Sequence, residues 1–169
     1  IGRLLPARDP AGNKGTFGKV LLAAGSSGMC GAAVLSGKSA FRSGAGMVMI
    51  LTPECNRQII QQALPEAILS TYETAPEEGQ ILQALQWADV LAAGPGMGQK
   101  PAGKETLRLL LQNVECPMVL DADALNMIAE DEEIQQCFAA ARKRAGREKV
   151  VITPHPGELC RLAGCSVEN

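Results

Sequence analysis

The sequence predicts an α/β protein built on a mostly parallel sheet with helices on both faces. Three observations predict it: short apolar runs without alternation, longer stretches of helical pattern between them, and glycine or carboxylate turns directly after the runs. A strand covered on both faces has no solvent side to mark with polar residues, which is the condition of a parallel sheet. Regular β-α-β-α succession then makes the fold layered α/β.

In chain order, Lys19 to Ala24 (KVLLAA), Met47 to Leu51 (MVMIL), Val90 to Ala93 (VLAA), Met118 to Asp121 (MVLD) and Val150 to Thr153 (VVIT) read as buried strands. Helices are expected over Ala32 to Ser43, Asn56 to Leu64, Glu77 to Trp87, Lys104 to Asn113 and Glu132 to Ala145. The last opens with Asp131, Glu132 and Glu133 and closes with Arg142, Lys143 and Arg144, the order a helix dipole favours. That basic run reads as a solvated helix end.

At 169 residues the chain is long enough for one domain with its own core, and no repeat or linker divides it. Sixteen basic against eighteen acidic residues, with three Phe, one Tyr and one Trp, give no basic, aromatic-studded surface for nucleic acid. No apolar run approaches the roughly 20 residues of a membrane span. The six cysteines, at 30, 55, 116, 137, 160 and 165, form no C-x-x-C pair, and His155 is the only histidine, so the usual zinc spacings are excluded. Free thiols in a reducing cytoplasm are expected. The opening IGRLLPARDP, without initiator Met or leader, reads as a segment of a longer polypeptide or a processed product.

Ligands of open α/β sheets bind beyond the carboxyl ends of the strands. There the sequence places Gly25 to Gly31 (GSSGMCG), Gly94 to Gly98 (GPGMG), Asp121-Ala122-Asp123 and Pro154-His155-Pro156-Gly157-Glu158. The glycine loops are either tight turns or places where an anionic ligand meets bare N–H groups at a helix start. Neither is a G-x-G-x-x-G fingerprint, which disfavours an ordinary dinucleotide site. Ala32 to Ser39 (AAVLSGKS) mimics a phosphate loop, but it falls inside a helical pattern rather than between strand and helix. A G-x-S-x-G elbow fails because Met29 stands four after Gly25. Asp121 and Asp123 are either a turn and helix cap, or carboxylates that hold a metal–phosphate complex, orient a hydroxyl or act as base. His155, restrained by two prolines, is a structural or a ligand-contacting imidazole, and Glu158 an acid of a helix's first turn.

Together these motifs resemble the NAD(P)H-hydrate dehydratase family, of ribokinase-like fold. The resemblance rests on Asn13-Lys14-Gly15-Thr16-Phe17-Gly18, VLLAAGSSGMCGAA, Ser43-Gly44-Ala45-Gly46, Gly94-Pro95-Gly96, Asp121 to Asn126 (DADALN) and Thr153 to Glu158 (TPHPGE), and runs from about Arg3 to Leu162. It implies removal of water from the hydrated nicotinamide ring of NADHX or NADPHX, coupled to ADP going to AMP and phosphate, with ATP as alternative donor. Phosphorylating the ring hydroxyl first turns a poor leaving group into a good one. By motif, Ala32, Gly96 and His155 would contact the hydrated dinucleotide, Asp121, Asp123 and Asn126 would line the cleft, and Glu158 would orient waters of phosphate-bound Mg²⁺. The resemblance further implies fusion to an N-terminal epimerase domain.

One departure is large. The family's catalytic aspartate belongs to a later G-x-G-D segment, and the aspartates here stand only at 9, 89, 121, 123 and 131, none in such a setting. Residues 1–169 are therefore expected to be the N-terminal portion of the domain and inactive alone, with the catalytic aspartate expected beyond Asn169. An open apolar sheet edge and face are expected as well, and with them a homo-oligomer. A small-molecule kinase of the same superfamily and a non-catalytic nucleotide-binding module stay open; an isolable phosphorylated product would mark the first, absence of turnover the second.

Overall fold

A computed structural model describes residues 10–166. The beginning of the resemblance at Arg3, most of the opening IGRLLPARDP and Asp9 lie outside the described residues. Six strands, β1 (Lys19–Ala23), β2 (Met47–Pro53), β3 (Ile68–Tyr72), β4 (Val90–Ala93), β5 (Met118–Leu120) and β6 (Val150–Ile152), form one sheet in the order β3-β2-β1-β4-β5-β6. Every pairing is parallel. Strand order reverses between β1 and β4, so the chain leaves the carboxyl ends of these neighbouring strands for helices on opposite faces of the sheet.

The helices are α1 (Cys30–Arg42), α2 (Arg57–Ala63), α3 (Glu78–Trp87), α4 (Pro101–Asn113), α5 (Asp123–Glu130), α6 (Glu132–Ala145) and α7 (Pro156–Ala163). Alternate side chains of each strand feed two cores. Leu21, Ala23, Leu91, Ala93, Met118 and Leu120 pack with α3 to α6. Leu22, Val48 and Ile50 pack with α1 and α2 on the other face. The first core is the larger because α1 and α2 stop at β1: beyond it Val151 of β6 is 51% exposed and Leu35 of α1 68% exposed. The open apolar edge and face expected from the sequence are thus present around β6.

Five strands and five helices follow the apolar runs, with ends shifted by a few residues. Three elements were not foreseen. In β3 (ILSTY) polar residues interrupt the apolar run, and α5 (DALNMIAE) is short and follows a strand directly. In α7 the proline pair masked a helix whose first position Pro156 occupies. The block Asn13 to Gly18 forms a 3₁₀ turn before β1, at the amino end of the strands, and presses its Lys14 carbonyl onto Gly46, where a Cβ would lie 1.8 Å from that oxygen. Asp131 caps α6 and binds the Lys104 ammonium at 2.8 Å, which lowers its pKa and ties α4 to α6.

The apparent phosphate loop of α1 is a packing device. A Cβ on the buried Gly37 would meet Leu64 Cδ2 at 2.6 Å and Ile50 Cδ1 at 3.2 Å, so the glycine lets α1 lie close on the sheet. Gly37→Ala is expected to be nearly neutral in urea unfolding, since about 1 kcal/mol of helix propensity offsets the crowding. Gly37→Val should lose about 1–3 kcal/mol by overpacking, and an unaltered midpoint would contradict this account.

After β2, Glu54 binds Arg57 at 2.5 Å, and Arg57 also donates to the Thr71 hydroxyl, joining the ends of β2 and β3. Arg57, with Thr71 second, holds the Glu54 carboxyl down to about 2. A depressed folded value contributes stability above the ordinary carboxyl range and loses it as pH falls toward 2. Glu54→Gln should therefore flatten the loss of stability between about pH 4.5 and 2, a small effect because the pair is exposed; an unaltered pH slope would refute it.

Candidate functional site

Three loops meet at the reversal point. The β1–α1 loop (24–29) and the β4–α4 loop (94–100) are joined by backbone hydrogen bonds: Gly25 N–H donates to the Pro95 carbonyl (2.9 Å) and Gly94 N–H to that of Ala23 (3.1 Å). The turn from β5 into α5 packs against them from the other side. A Cβ on Gly94 would stand 1.7 Å from the Asp121 carbonyl oxygen, so only glycine lets these two loops touch. Gly96 fills the gap toward α1, where a Cβ would lie 2.7 Å from that of Ala32.

Asp123 fastens the assembly. Its Oδ2 accepts from Gly98 N–H at 2.9 Å and its Oδ1 from the Gln99 amide at 3.4 Å. To bring this carboxylate under the neighbouring loop the chain turns within one residue: Ala122 sits at φ 50°, ψ −121°, a conformation that favours glycine. Strain of this kind costs on the order of 1–3 kcal/mol and needs surroundings that over-determine it. Asp121, in the same turn, is half-buried, and its carboxylate accepts no hydrogen bond among the described residues.

A buried polar pair holds the first loop from beneath. Asn56, 2% exposed, donates its amide to Thr52 Oγ1 (2.9 Å) and to the Ser26 carbonyl (3.4 Å). Burial raises the pKa of Cys30, whose thiol donates to the Asn56 carbonyl at 3.9 Å; a protonated thiol under the loop is a packing group rather than a nucleophile.

The fourth component is the start of α7. His155 is its N-cap: Nδ1 accepts from Gly157 N–H (3.1 Å), while the Glu158 carboxylate accepts from His155 N–H (3.0 Å). Nε2 faces Glu158 Oε1 at 3.2 Å. The imidazole remains 62% exposed at the mouth, and Glu158 is 5% exposed. Asn126 of α5 accepts from Arg161 Nε of α7 at 2.9 Å, holding α7 against the β5 turn.

Of the residues singled out in the sequence, Ala32 and Gly96 touch, Asp121 and Asp123 form the turn beside Gly94, and His155 with Glu158 form one cap. The structure gives Asp123, Asn126 and Glu158 partners within the chain, so each positions a loop or helix. Thr52, Asn56 and Arg161 were missed. Thr52 and Asn56 flank the end of an apolar run, a place where buried polar residues signal a loop that needs holding.

Fold and loops define a class: a ribokinase-like α/β protein whose parallel sheet reverses its strand order between β1 and β4. Within it the chain belongs to the NAD(P)H-hydrate dehydratase family, whose model matches residues 20–169. It is 40% identical over 99% of its length to the bifunctional NAD(P)H-hydrate repair enzyme of Escherichia coli K12, of which it spans 29%. An ADP/ATP-dependent NAD(P)H-hydrate dehydratase from Bacillus subtilis, co-crystallized with ATP and Mg²⁺, superposes with TM-score 0.74 at 36% identity, over 97% of this chain and 53% of that one. A ribokinase-like superfamily protein from Enterococcus faecalis gives 0.77 at 26% identity, over 96% and 54%. The chain thus spans about 30% of the curated relatives it matches and about half of its structural neighbours. Among the described residues no helix is long and apolar enough to cross a membrane.

Asp123→Ala should detach the β4–α4 loop, lowering stability by about 1–2 kcal/mol and accelerating amide exchange at Gly98. Unaltered exchange there would show that the carboxylate does not hold the loop.

Proposed function

We propose that this chain provides the substrate side of a dehydratase acting on hydrated reduced nicotinamide dinucleotides, NADHX and NADPHX. The observation that carries the reading is the interlocked glycine cradle at the sheet's reversal point, in a chain whose family match includes that cradle and the Asp121 and His155 turns. In the reaction the ring hydroxyl takes a phosphoryl group from ADP or ATP and leaves as phosphate, so NADHX and ADP yield NADH, AMP and phosphate. The name of the Bacillus subtilis neighbour supports either nucleotide.

In this reading Gly96 and Ala32 keep the cradle shallow enough for a sugar–phosphate backbone to lie on the loops. Asp121 accepts from a ligand hydroxyl, and His155 contacts the ligand at the mouth of the crevice. Asp123 and Asn126 act through the loop and helix they hold. Among the described residues no three His, Cys, Asp or Glu side chains form a metal site. That fits Mg²⁺ carried on phosphates, since it keeps waters and uses few protein carboxylates. The ion would neutralise phosphate charge during transfer. Glu158 would reach its waters only by leaving the cap. The bifunctional name and length of the relatives support a companion epimerase domain in the same polypeptide, and the six free thiols support a reducing, cytoplasmic setting.

The test places this chain in the Escherichia coli relative instead of the segment it matches and follows recovery of reduced-nicotinamide absorbance from NADHX. Turnover is expected, and Gly96→Val should lower kcat/KM by about 10² through displacement of the cradle. His155→Gln should raise KM while much of kcat survives; collapse of kcat with binding intact would make the imidazole catalytic. A phosphorylated product accumulating in place of free phosphate would establish a kinase instead.

A further inference from the structure

The end of α7 brings two of the six cysteines together. Gly164 follows the helix in the left-handed conformation (φ 66°, ψ 30°), and the chain there folds back on the last turn. Gly164 N–H donates to the Arg161 carbonyl at 3.3 Å, and Cys165 N–H to that of Cys160 at 3.0 Å. This is the pairing of a Schellman cap, in which the residue after the glycine packs its side chain on the residue whose carbonyl it binds. Here both positions are cysteine. One direct N–H···O bond keeps two Cα atoms within about 7 Å by bond lengths alone, the limit beyond which a disulfide cannot form. The thiols act on each other: desolvation, and then the Cys165 thiol, raise the pKa of Cys160. Both cysteines are free, Cys165 exposed and Cys160 half-buried.

We propose that Cys160 and Cys165 are a redox-sensitive modification site, a dithiol that closes to a disulfide by exchange with a low-molecular-weight disulfide. Cys165, the more exposed thiol, attacks one sulfur of the small disulfide as thiolate, forming a mixed disulfide and releasing one small thiol. The Cys160 thiol then gives its proton to solvent and attacks the Cys165 sulfur, releasing the second. Two electrons and two protons pass from the protein to the small disulfide, which leaves as two thiols. The other cysteines are not placed for this. Cys30 is buried and Asn56 stands between it and Cys55, each thiol donating to an Asn56 oxygen. An exposed bridge of this kind is readily reduced, and in a reducing compartment it forms only transiently. What it changes is α7. The helix has eight residues and carries the His155 and Glu158 cap at its other end, so a fastened last turn resists fraying toward that cap. The inference is independent of the dehydratase reading.

The experiment incubates the 169-residue chain with oxidised glutathione, quenches with N-ethylmaleimide and maps the peptides by mass. A Cys160–Cys165 disulfide, lighter than the dithiol by its two thiol hydrogens, is expected, and dithiothreitol should reverse it. Cys160→Ser removes the second thiol and should trap the glutathione adduct on Cys165, at least about tenfold more of it than in the parent chain. Gly164→Val tests the cap. A β-branched residue is disfavoured in the left-handed region, yet nothing lies within 4 Å of a Cβ there, so the strain is confined to the turn. Closure should slow at least about tenfold in this variant while the adduct on Cys165 still forms. In the oxidised parent chain, amide exchange at Gly164 and Cys165 should slow by about tenfold or more. A lasting adduct on Cys165 in the parent chain, a bridge to another cysteine, or closure unaltered by Gly164→Val overturns the proposal. Amide exchange unaltered by oxidation overturns the fastening of α7.

Discussion

Contact between two loop backbones sets the rest of this structure. The β4–α4 loop can meet the β5 turn only because Gly94 has no Cβ to occupy the place of the Asp121 carbonyl oxygen, 1.7 Å away. With that approach made, Gly96 settles on Ala32, Gly98 comes within reach of Asp123, and α4 starts directly beneath, its Gly103 also pressed on the loop, where a Cβ would lie 2.2 Å from the Gly98 carbonyl. A side chain at Gly94 or Gly103 would fall on a backbone oxygen and separate these segments by more than a hydrogen bond tolerates. The cradle is a consequence of missing atoms.

Polar side chains then lock what the glycines permit. Asp123 holds the loop from the β5 side, and Asn56 with Thr52 holds the neighbouring loop from the β2 side. Among the described residues no buried side-chain nitrogen or oxygen lacks a hydrogen-bond partner, so the locks are complete. The two joined loops are thus held from both sides, and their backbone is ordered without any ligand. Backbone strain at Ala122 is tolerated for the same reason: the bonds around it leave the turn no alternative.

The two faces of the sheet have different duties. One is closed by α3 to α6, which make the larger core and support the β4 and β5 turns. The other is closed only over β1 to β3, where Gly37 lets α1 lie low enough for its first turn to present Ala32 beside Gly96. Stability and site geometry are therefore coupled through α1. A substitution in its middle that lifts the helix from Ile50 and Leu64 would also move the wall of the cradle.

Most of the framework could be read from the chain by itself. Apolar runs without alternation determined five of the six strands and their parallel arrangement, because burial on both faces removes polar residues from a strand. The strand-end positions of the glycine loops, Asp121, Asp123 and His155 were readable for the same reason. The strand β3 was hidden by its serine and threonine, and α5 and α7 by turn residues that are also good helix starts. The tertiary structure alone supplied the partners of the polar groups. Gly98, 25 residues from Asp123 in sequence, donates to its carboxylate at 2.9 Å, and Gly157 and Glu158 close around His155. Side-chain chemistry is local, but a hydrogen bond depends on which partner the fold brings within about 3 Å.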